Sequence, residues 1–439
     1  MSLKQQRKEM MIRERIFQHA QLCLWTLLYC GIAHSAELTE QIYNRRIDFS
    51  NLDADRDAFL STAEYNGTQQ LFESMDTDGD RRLSQDEAKY MITFADIPSG
   101  SFTMGTAGTE PTVVPVQDAS PEHIVSVDGF QMAHTEITTA QYALFLNSAL
   151  QAEEITVERA NSGPARIVYP LPIWSVYGAP GTKYERKLYN AISPVAGLSH
   201  IRAQGHPHLI PEHPLNQSWI TYIPELELFT VALGFEDWPA AFIRWYGAMA
   251  FAEYYGLSLP TEAEWEYVAR GGQQFRFATS DGTIDCGVAN YKCYNGMLRE
   301  VYTGVDTPNQ YVGHRINVGS YAANPFGIFD LAGNVWEWCL DWYDQDFYQH
   351  IVDNEIVRNP VNLVGVEPPA GVIVTGRAGR ASSGIDSPDA RVTRGGSYQY
   401  HETTTESAFR AAMYPFRGND HWGFRVVLRS PSNVFNAKE

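Results

Sequence analysis

Apolar residues recur with a helical period in two stretches of this chain. The first is 138–150, which places Tyr142, Phe145 and Leu146 on one face. The second is 240–255, whose apolar positions are Phe242, Trp245, Ala248, Met249 and Ala252. Elsewhere, short runs of β-forming residues alternate with turns rich in Gly, Asn and Pro. The pattern predicts two helices in a mixed domain with much irregular backbone.

The beginning of the chain has the layout of an export signal. A basic stretch that ends at Arg15 precedes an apolar run over 22–33, and small residues follow around Ser35 and Ala36. The apolar run is too short to span a bilayer comfortably. We therefore predict a signal peptide over 1–36, with an uncleaved anchor as the alternative. The mature protein is then periplasmic or secreted, without stable insertion into a membrane.

Composition restricts the classes of function. Hydrophobic residues make up 44% of the 439 residues and aromatic residues 13%, enough for a sizeable core in more than one domain. The 52 acidic residues outnumber the 33 basic residues, and the formal net charge is -19. Nucleic-acid binding needs a basic surface, so the charge argues against a nucleic-acid partner. An acidic balance suits divalent cations.

The cysteines also bear on the chemistry. Cleavage of the signal removes Cys23 and Cys30 and leaves Cys286, Cys293 and Cys339, an odd number in an oxidising compartment. The first two are close enough in sequence to form a disulfide around a small loop, although the spacing also fits two unpaired thiols. Cys339 lies in an apolar setting, which predicts a buried, inert thiol.

Two acidic segments, 53–64 and 76–87, have the spacing of EF-hand calcium loops. Each places oxygen-bearing side chains at loop positions 1, 3, 5, 9 and 12, and position 7 supplies a backbone carbonyl. Solvated polar turns are the alternative, but two matches favour calcium. We predict an EF-hand pair over 37–93. Its ligands are Asp53, Asp55, Asp57, Phe59, Ser61 and Glu64 in the first loop, and Asp76, Asp78, Asp80, Arg82, Ser84 and Glu87 in the second.

The two loops depart from the usual pattern at position 6. Ala58 and Arg81 stand where the sharp turn favours Gly, so backbone strain should weaken calcium binding. Leu60 and Leu83 at position 8 should pair the loops across a short strand, and a single helix over 65–75 should link them. We expect a structural role for this calcium.

Six motifs later in the chain are highly specific. In order along the sequence, the motif-bearing segments are IPSGSFTMG at 97–105, TEITTAQYALFLN at 135–147, LPTEAEWEYVARGG at 259–272, NPFGIFDLAGNVWEW at 324–338, RGGSY at 394–398 and GFRVV at 423–427. Together they resemble the formylglycine-generating enzyme, or sulfatase-modifying factor, family. The resemblance implies a single α+β domain over 94–431 with little regular secondary structure, an insertion over 150–235, and a tail over 432–439.

The family resemblance also implies bound calcium within this domain. One site would use the Asp330 carboxylate, the Gly333 and Val335 carbonyls, and Glu337, which are oxygen ligands suited to a hard cation. The alternative is that Glu337 is a buried acid that needs a hydrogen-bond donor. A second implied site would use Asn290, Tyr291, Asn309 and Tyr311.

The residues of the family's oxidative chemistry are replaced in this chain. Formylglycine formation in the family depends on two cysteines shortly after the GGSY motif, which bind copper and activate oxygen. The resemblance places Tyr400 and Thr405 at these positions, and neither side chain is a soft thiolate ligand for Cu(I). Oxidation of a substrate cysteine by the family's mechanism is therefore not expected, and the identity of any redox metal stays unknown.

Other polar residues near the implied pocket offer a replacement site. A histidine with tyrosines and a carboxylate supports acid–base or metal chemistry, although plain surface and loop residues are the alternative. Adjacent residues of an extended segment point to opposite faces, so His401 and Glu402 should not converge on one ion. The candidates are Ser397, Tyr400, His401, Glu402, Thr405, Arg410, Arg417 and His421.

The insertion over 150–235 should carry partner specificity, because it is rich in Pro, Tyr and Trp. Its segment 205–213 contains three His and one Glu, which a metal could use, although a plain connector is the alternative. Two functions follow. The first is a calcium-binding scaffold for a protein partner in the periplasm. The second is an oxidoreductase of altered, metal-dependent chemistry that acts on a peptide substrate or a secondary-metabolite precursor.

Overall fold

The computed structural model describes residues 52–76, 78–85, 87–107, 117–160, 173–192, 218–293, 313–365 and 389–430. The predicted signal peptide, the segment 205–213, Asn309, Tyr311 and the predicted tail lie outside the described residues.

Five α-helices lie in the described part of the chain: α1 (Gln69–Met75), α2 (Thr139–Gln151), α3 (Trp245–Tyr254), α4 (Glu262–Ala269) and α5 (Phe347–Asp353). Short 3-10 turns occupy Glu87–Tyr90, Gln117–Ala119 and Glu402–Thr405. None of the five helices is long and apolar enough to cross a membrane.

Helix α2 begins where its sequence signals place it. The Thr138 side chain accepts a hydrogen bond from the Gln141 backbone, and the Gln141 side chain accepts one from the Thr138 backbone, which is a capping box. The predicted apolar face of Tyr142, Phe145 and Leu146 is buried. This helix is confirmed to within one residue at each end.

The other helices follow their periodicity less closely. Helix α3 begins at Trp245, five residues after the predicted start, although its predicted apolar positions are all buried. Helix α4 is buried on every side, including Glu262, Glu264 and Glu266, so its sequence has no apolar stripe. Its start is marked instead by a capping box between Thr261 and Glu264.

Sixteen short strands form six small sheets in the described residues. Those of the N-terminal half are β1 (Phe59–Ser61), β2 (Arg82–Ser84), β3 (Phe94–Ile97), β4 (Gly100–Met104), β5 (His123–Val127), β6 (Phe130–Ala133), β7 (Ile155–Ala160), β8 (Ile173–Gly178) and β9 (Leu188–Ile192). The others are β10 (Ile220–Ile223), β11 (Leu228–Val231), β12 (Trp336–Trp342), β13 (Arg391–Arg394), β14 (Ala411–Met413), β15 (Trp422–Gly423) and β16 (Val427–Leu428).

The central sheet has the order β14-β13-β12-β15, in which β12 pairs antiparallel with β13 and parallel with β15. Two three-stranded sheets, β16-β6-β3 and β7-β8-β9, and the hairpins β1-β2, β4-β5 and β10-β11 surround it. Helix α4 packs on β12, and Trp265, Trp336 and Trp338 are fully buried there. The mixed fold with short elements agrees with the expected low content of regular structure.

A buried ionic cluster lies between α4 and the central sheet. Arg410 Nε donates to Glu262 Oε1 at 2.7 Å, and Arg270 Nε donates to Glu266 Oε1 at 3.0 Å. Arg394 pairs with Glu266 as well. Because buried charges are stable only when paired, this cluster ties the helix to the sheet.

The predicted insertion contains the β7-β8-β9 sheet and the β10-β11 hairpin. Trp174 and Tyr222 make an edge-to-face contact with ring centroids 5.2 Å apart, and both are half-buried against the core. These aromatic residues of the insertion therefore pack on the main core and keep part of their surface in solvent.

Candidate functional site

The three aspartates that begin each acidic loop converge. Oxygen atoms of Asp53, Asp55 and Asp57 lie within 4.8 Å of one another, and the second loop repeats this arrangement with its own three aspartates, Asp76, Asp78 and Asp80. The Asp53 carboxylate accepts hydrogen bonds from the backbone N–H groups of Asp57, at 3.1 Å, and Ala58, at 3.0 Å. These bonds curl the backbone around the oxygen ligands.

The short strands after these aspartates join the two loops. Leu60 and Leu83 are directly opposite in the β1-β2 pair, and both side chains are fully buried. The predicted linking helix is shorter than expected: α1 covers Gln69–Met75, and Thr68 caps it. The predicted pairing of the two loops through position 8 is therefore present in the fold.

The carboxylate at position 12 folds back over each loop. Glu64 accepts hydrogen bonds from the Ser61 hydroxyl at 2.7 Å and backbone N–H at 2.9 Å. These bonds to Ser61, together with backbone donors at Ala54 and Asp55, lower the pKa of Glu64 to about 2. Glu87 makes the same pair of bonds to Ser84.

The position-6 residues carry the strain that their identity predicts. Ala58 has φ 68° and Arg81 has φ 66°, in the left-handed region that favours Gly. Holding a non-Gly residue there costs about 1–2 kcal/mol. Arg82 adds a positive charge between the loops, since its guanidinium lies 3.7 Å from Asp57 and 3.4 Å from Asp80.

Glu337, in the first implied calcium site of the large domain, is satisfied by protein donors. Arg425 Nη2 donates to Oε1 at 2.6 Å, Arg425 Nε donates to Oε2 at 2.7 Å, and Trp265 Nε1 donates to Oε2 at 2.8 Å. All three side chains are fully buried. The structure thus supplies the donor that the alternative interpretation of Glu337 as a buried acid requires.

Two further carboxylates neighbour this ion pair, the half-buried Asp330 and the fully buried Glu136. Burial raises the pKa of Asp330 to about 6, although the Gly319 N–H that it accepts and Arg425 oppose the rise. Burial, Asp330 and Glu337 together raise the pKa of Glu136 well above its ordinary value, and Glu136 Oε1 has no hydrogen-bond partner. Three carboxylates therefore lie around Arg425, with Arg315 as a second guanidinium near Glu136, and a bound cation would relieve the repulsion between the carboxylates.

The second implied calcium site adjoins the first. Asn290 Nδ2 donates to the His314 carbonyl at 2.9 Å and to Asn334 Oδ1 at 3.1 Å, which leaves Asn290 Oδ1 without a partner. Tyr291 is buried beside it. Gly333 has φ 99°, and a Cβ there would lie 2.2 Å from the Asn290 carbonyl oxygen, so this close approach of the two segments requires Gly.

The structure brings Tyr400 and His421 together. Their ring centroids are 5.5 Å apart, and the His421 ring also packs on Trp422 at 4.2 Å. His421 Nδ1 lies 2.9 Å from Asp420 Oδ1, and Tyr398 donates its hydroxyl to Asp420 Oδ2 at 2.7 Å. Burial alone would raise the pKa of Asp420, but the hydrogen bond and charge of His421 lower it. No motif in the sequence points to this role of Asp420.

This arrangement leaves one reactive atom of the histidine free. His421 is buried, and its Nε2 atom has no hydrogen-bond partner. A carboxylate on Nδ1 fixes the orientation of the ring and aims the other nitrogen, as in histidines that bind metals. Burial, with a smaller contribution from Asp420, raises the pKa of Tyr400 to about 12, so Tyr400 is a neutral phenol at neutral pH.

The other candidate pocket residues use their side chains elsewhere, although the Ser397 carbonyl accepts a hydrogen bond from the Tyr400 N–H at 3.0 Å. Thr405 is buried and donates its hydroxyl to the Glu402 carbonyl at 2.7 Å, while Ser397 is buried and accepts from the Gln399 N–H at 3.3 Å. His401 is exposed. Its slight burial and the positive charge of Lys292 lower the pKa of its imidazole.

The last three candidates are Glu402 and two arginines, and none of them is in ring contact with His421. Glu402 is exposed, like its neighbour His401, so these two side chains do not form a buried site. Arg410 belongs to the buried ionic cluster with Glu262, and Arg417 lies over the Tyr414 ring at 5.5 Å. Tyr400 and His421 are thus the two sequence-predicted pocket residues in ring contact.

The described cysteines do not form a pair of free thiols. Cys286 and Cys293 form a disulfide with Cα atoms 5.5 Å apart, which confirms the first of the two predicted alternatives. Cys339 is the free cysteine of the described residues, and it is fully buried. Burial raises the pKa of its thiol well above the ordinary value, as expected for an inert thiol.

Comparisons with known proteins cover most of the chain. The family model described as the sulfatase-modifying factor enzyme 1-like domain matches residues 81–430. The formylglycine-generating enzyme of Thermomonospora curvata is 29% identical over 358 residues, which are 81% of this chain and 98% of that enzyme. The formylglycine-generating enzyme of Streptomyces coelicolor is 30% identical over 339 residues, with 75% of this chain and 87% of that enzyme covered.

Among solved structures, PvdO from Pseudomonas aeruginosa is 20% identical with a TM-score of 0.43, and the match covers 77% of this chain and 94% of PvdO. The family match extends over the motifs, the central sheet and both implied calcium sites of the large domain. The chain belongs to the family of sulfatase-modifying factor enzyme 1-like domains.

Proposed function

We propose that this protein is an exported, calcium-binding scaffold that binds a partner protein in the periplasm and does not oxidise cysteine residues. The observation that carries the proposal is that the chain after the RGGSY motif contains no cysteine, and the resemblance places Tyr400 and Thr405 at the positions of the family's two cysteines. A phenol and an alcohol do not replace a pair of thiolates as ligands of Cu(I).

The rest of the described chain supplies no substitute for those thiolates. A disulfide holds Cys286 and Cys293, and the Cys339 thiol is fully buried with a raised pKa. Thr405 uses its hydroxyl in a hydrogen bond to the Glu402 carbonyl. The described residues therefore do not fit the family's copper, and they support no oxidative step through it.

Calcium fits the chemistry of the oxygen donors. In the N-terminal loops it would be held by the converging aspartates, and in the large domain by Asp330 with the Gly333 and Val335 carbonyls. Arg425 already balances Glu337, so the carboxyl groups left for a cation are Asp330 and Glu136, and a cation would replace the proton that the raised pKa of Glu136 favours. Calcium bound there would neutralise buried charge and fasten irregular backbone.

A binding surface is available on the insertion. The half-buried Trp174 and Tyr222 sit on its sheet and hairpin, and Leu233, just after β11, is 76% exposed. Aromatic groups held in place by packing are favoured in protein interfaces because they lose little entropy on binding. This surface is suited to a protein partner or an extended peptide.

A second candidate function rests on His421. With Nδ1 on Asp420 and Nε2 without a partner, this side chain is prepared to bind a metal ion or to accept a proton. Tyr400 lies beside it. This observation favours an oxidoreductase of altered chemistry, in which a metal other than thiolate-bound copper acts on a peptide or a secondary-metabolite precursor.

One experiment separates the two functions. The mature protein is purified without added metal, its elemental content is measured, and thermal unfolding is recorded before and after calcium chelation. Calcium alone, with a large loss of stability on chelation, supports the scaffold. Iron or copper that stays stoichiometric after chelation contradicts it and supports the oxidoreductase, and His421→Ala should then release that metal while Arg358→Ala should not.

A further inference from the structure

Arg244 is a cation without an acidic partner in the described part of the chain. It is the N-cap residue of α3, and its Nη1 atom donates to the Phe242 carbonyl at 2.7 Å. Its Nε atom is buried and has no hydrogen-bond partner, and the charged groups that shift its pKa are the tyrosines Tyr142 and Tyr177, not carboxylates. Burial lowers the pKa of Arg244 to about 10, with small opposing effects from Tyr142 and Tyr177.

The helix end beside this arginine lacks a side-chain cap, although the Trp245 N–H of its first turn donates to the Pro415 carbonyl at 3.1 Å. An N-cap side chain normally accepts a hydrogen bond from the first turn, but Arg244 has no acceptor atom and makes no such bond. The partial positive charge of the α3 N-terminus therefore adds to the guanidinium charge. Both positive charges favour an anion near the N-terminus of α3.

Two buried polar side chains border the helix end. The Tyr142 hydroxyl is buried without a partner, and it faces the first turn, where a Cβ on Gly247 would lie only 2.6 Å from it. Asn190 pairs through its backbone with Ile243, the residue before Arg244, and neither Oδ1 nor Nδ2 of this fully buried side chain has a partner.

These groups are complementary to one kind of ligand. The guanidinium, the phenol hydroxyl and the amide nitrogen are all donors, and a buried donor without a partner costs about 1–3 kcal/mol. An oxyanion would satisfy them together. One guanidinium balances one negative charge, which favours a singly charged carboxylate over a doubly charged phosphate. Arg244 and Tyr177 are only half-buried, so the subsite has a side open to solvent.

We propose that Arg244, Tyr142 and Asn190 form a binding subsite for the carboxylate group of a small ligand. None of its three residues is a predicted calcium ligand or a member of the Tyr400 and His421 pair. It does not depend on whether the protein is a scaffold or an oxidoreductase.

The test is a calorimetric titration of the full mature protein with benzoate, and with phosphate and chloride at matched ionic strength. We expect benzoate to bind, phosphate to bind more weakly, and chloride to give no heat. Arg244→Ser removes the cation and supplies an N-cap acceptor, so it should keep the fold and weaken benzoate binding by about tenfold or more. Arg358→Ser, at an exposed arginine, should leave binding unchanged.

Tyr142→Phe is a second variant that removes the hydroxyl alone and keeps the buried ring. We expect it to weaken benzoate binding several-fold, about the effect of one hydrogen bond. The proposal is overturned if benzoate does not bind to the wild-type protein, if phosphate binds more tightly than benzoate, or if Tyr142→Phe and Arg244→Ser bind benzoate as the wild type does.

Discussion

Replacing Arg425 with Met tests how the charge of Glu337 is balanced. Arg425 makes two hydrogen bonds to Glu337, at 2.6 and 2.7 Å, and both side chains are fully buried. After the substitution, the donor that remains to the carboxylate in the described residues is the Trp265 indole, whose Nε1 lies 2.8 Å from Oε2. Breaking a buried pair in this way costs about 3–5 kcal/mol.

The loss should lie at the upper end of that range. Arg425 also donates to the backbone carbonyls of Phe329, at 2.8 Å, and Ala133, at 3.2 Å, and the substitution removes these bonds as well. The double variant Arg425→Met with Glu337→Gln no longer contains an unpaired charge. We therefore expect it to be less destabilised than the sum of the single variants, by about 1–3 kcal/mol.

The assay is guanidinium chloride unfolding, once with calcium and once with a chelator. Arg358→Met is the matched control, because Arg358 pairs with Asp128 at the surface, where an ion pair contributes about 0–1 kcal/mol. Additive single variants would refute the argument. A second result would also refute it: Glu337→Gln lowers the free energy of unfolding with calcium but not with the chelator. In that case calcium, and not Arg425, would balance the charge of Glu337.

Three further predictions concern other parts of the chain. Leu83→Ala should destabilise the N-terminal pair of loops by about 2–5 kcal/mol, because Leu83 is buried against Leu60, and proteolysis of this region should accelerate. Ala58→Gly should tighten calcium binding in titration calorimetry by relieving the left-handed φ of 68°, whereas Ala63→Gly should not. Burial, with Glu262 as a lesser cause, raises the pKa of Asp341 from 3.8 to about 7. The folded state then keeps a proton that the unfolded chain releases, so the free energy of unfolding should fall as pH rises from about 4 to about 7, and Asp341→Asn should flatten this dependence.

The sequence predicted those elements that form through contacts between residues close together in the chain. The capping box of Thr138 and Gln141 begins α2, and a bond between neighbouring residues needs no tertiary information. The same holds for the acidic loops, whose aspartates converge because the turn itself folds them together. Periodicity failed for α4, since a helix buried on every side has no polar face to reveal it.

Distant contacts decided the chemistry of the polar residues. Arg410 was a candidate for the pocket, but burial beside Glu262 makes it part of an ionic cluster under α4. Asp420 carried no sequence signal, yet it orients His421. Glu136 lies inside a recognised motif. Its raised pKa, however, comes from burial and from Asp330 and Glu337, which belong to a segment far away in the chain.

By itself, the sequence determined the family and the spacing of the acidic loops, because motifs and ligand spacing are properties of a contiguous chain. The tertiary structure alone decided which charges are balanced. Arg425 is paired with Glu337 across 88 positions, whereas Arg244 meets no described carboxylate. The reason is physical: the energy of a charge depends on its burial and on its neighbours in space, and both are set only when the chain has folded.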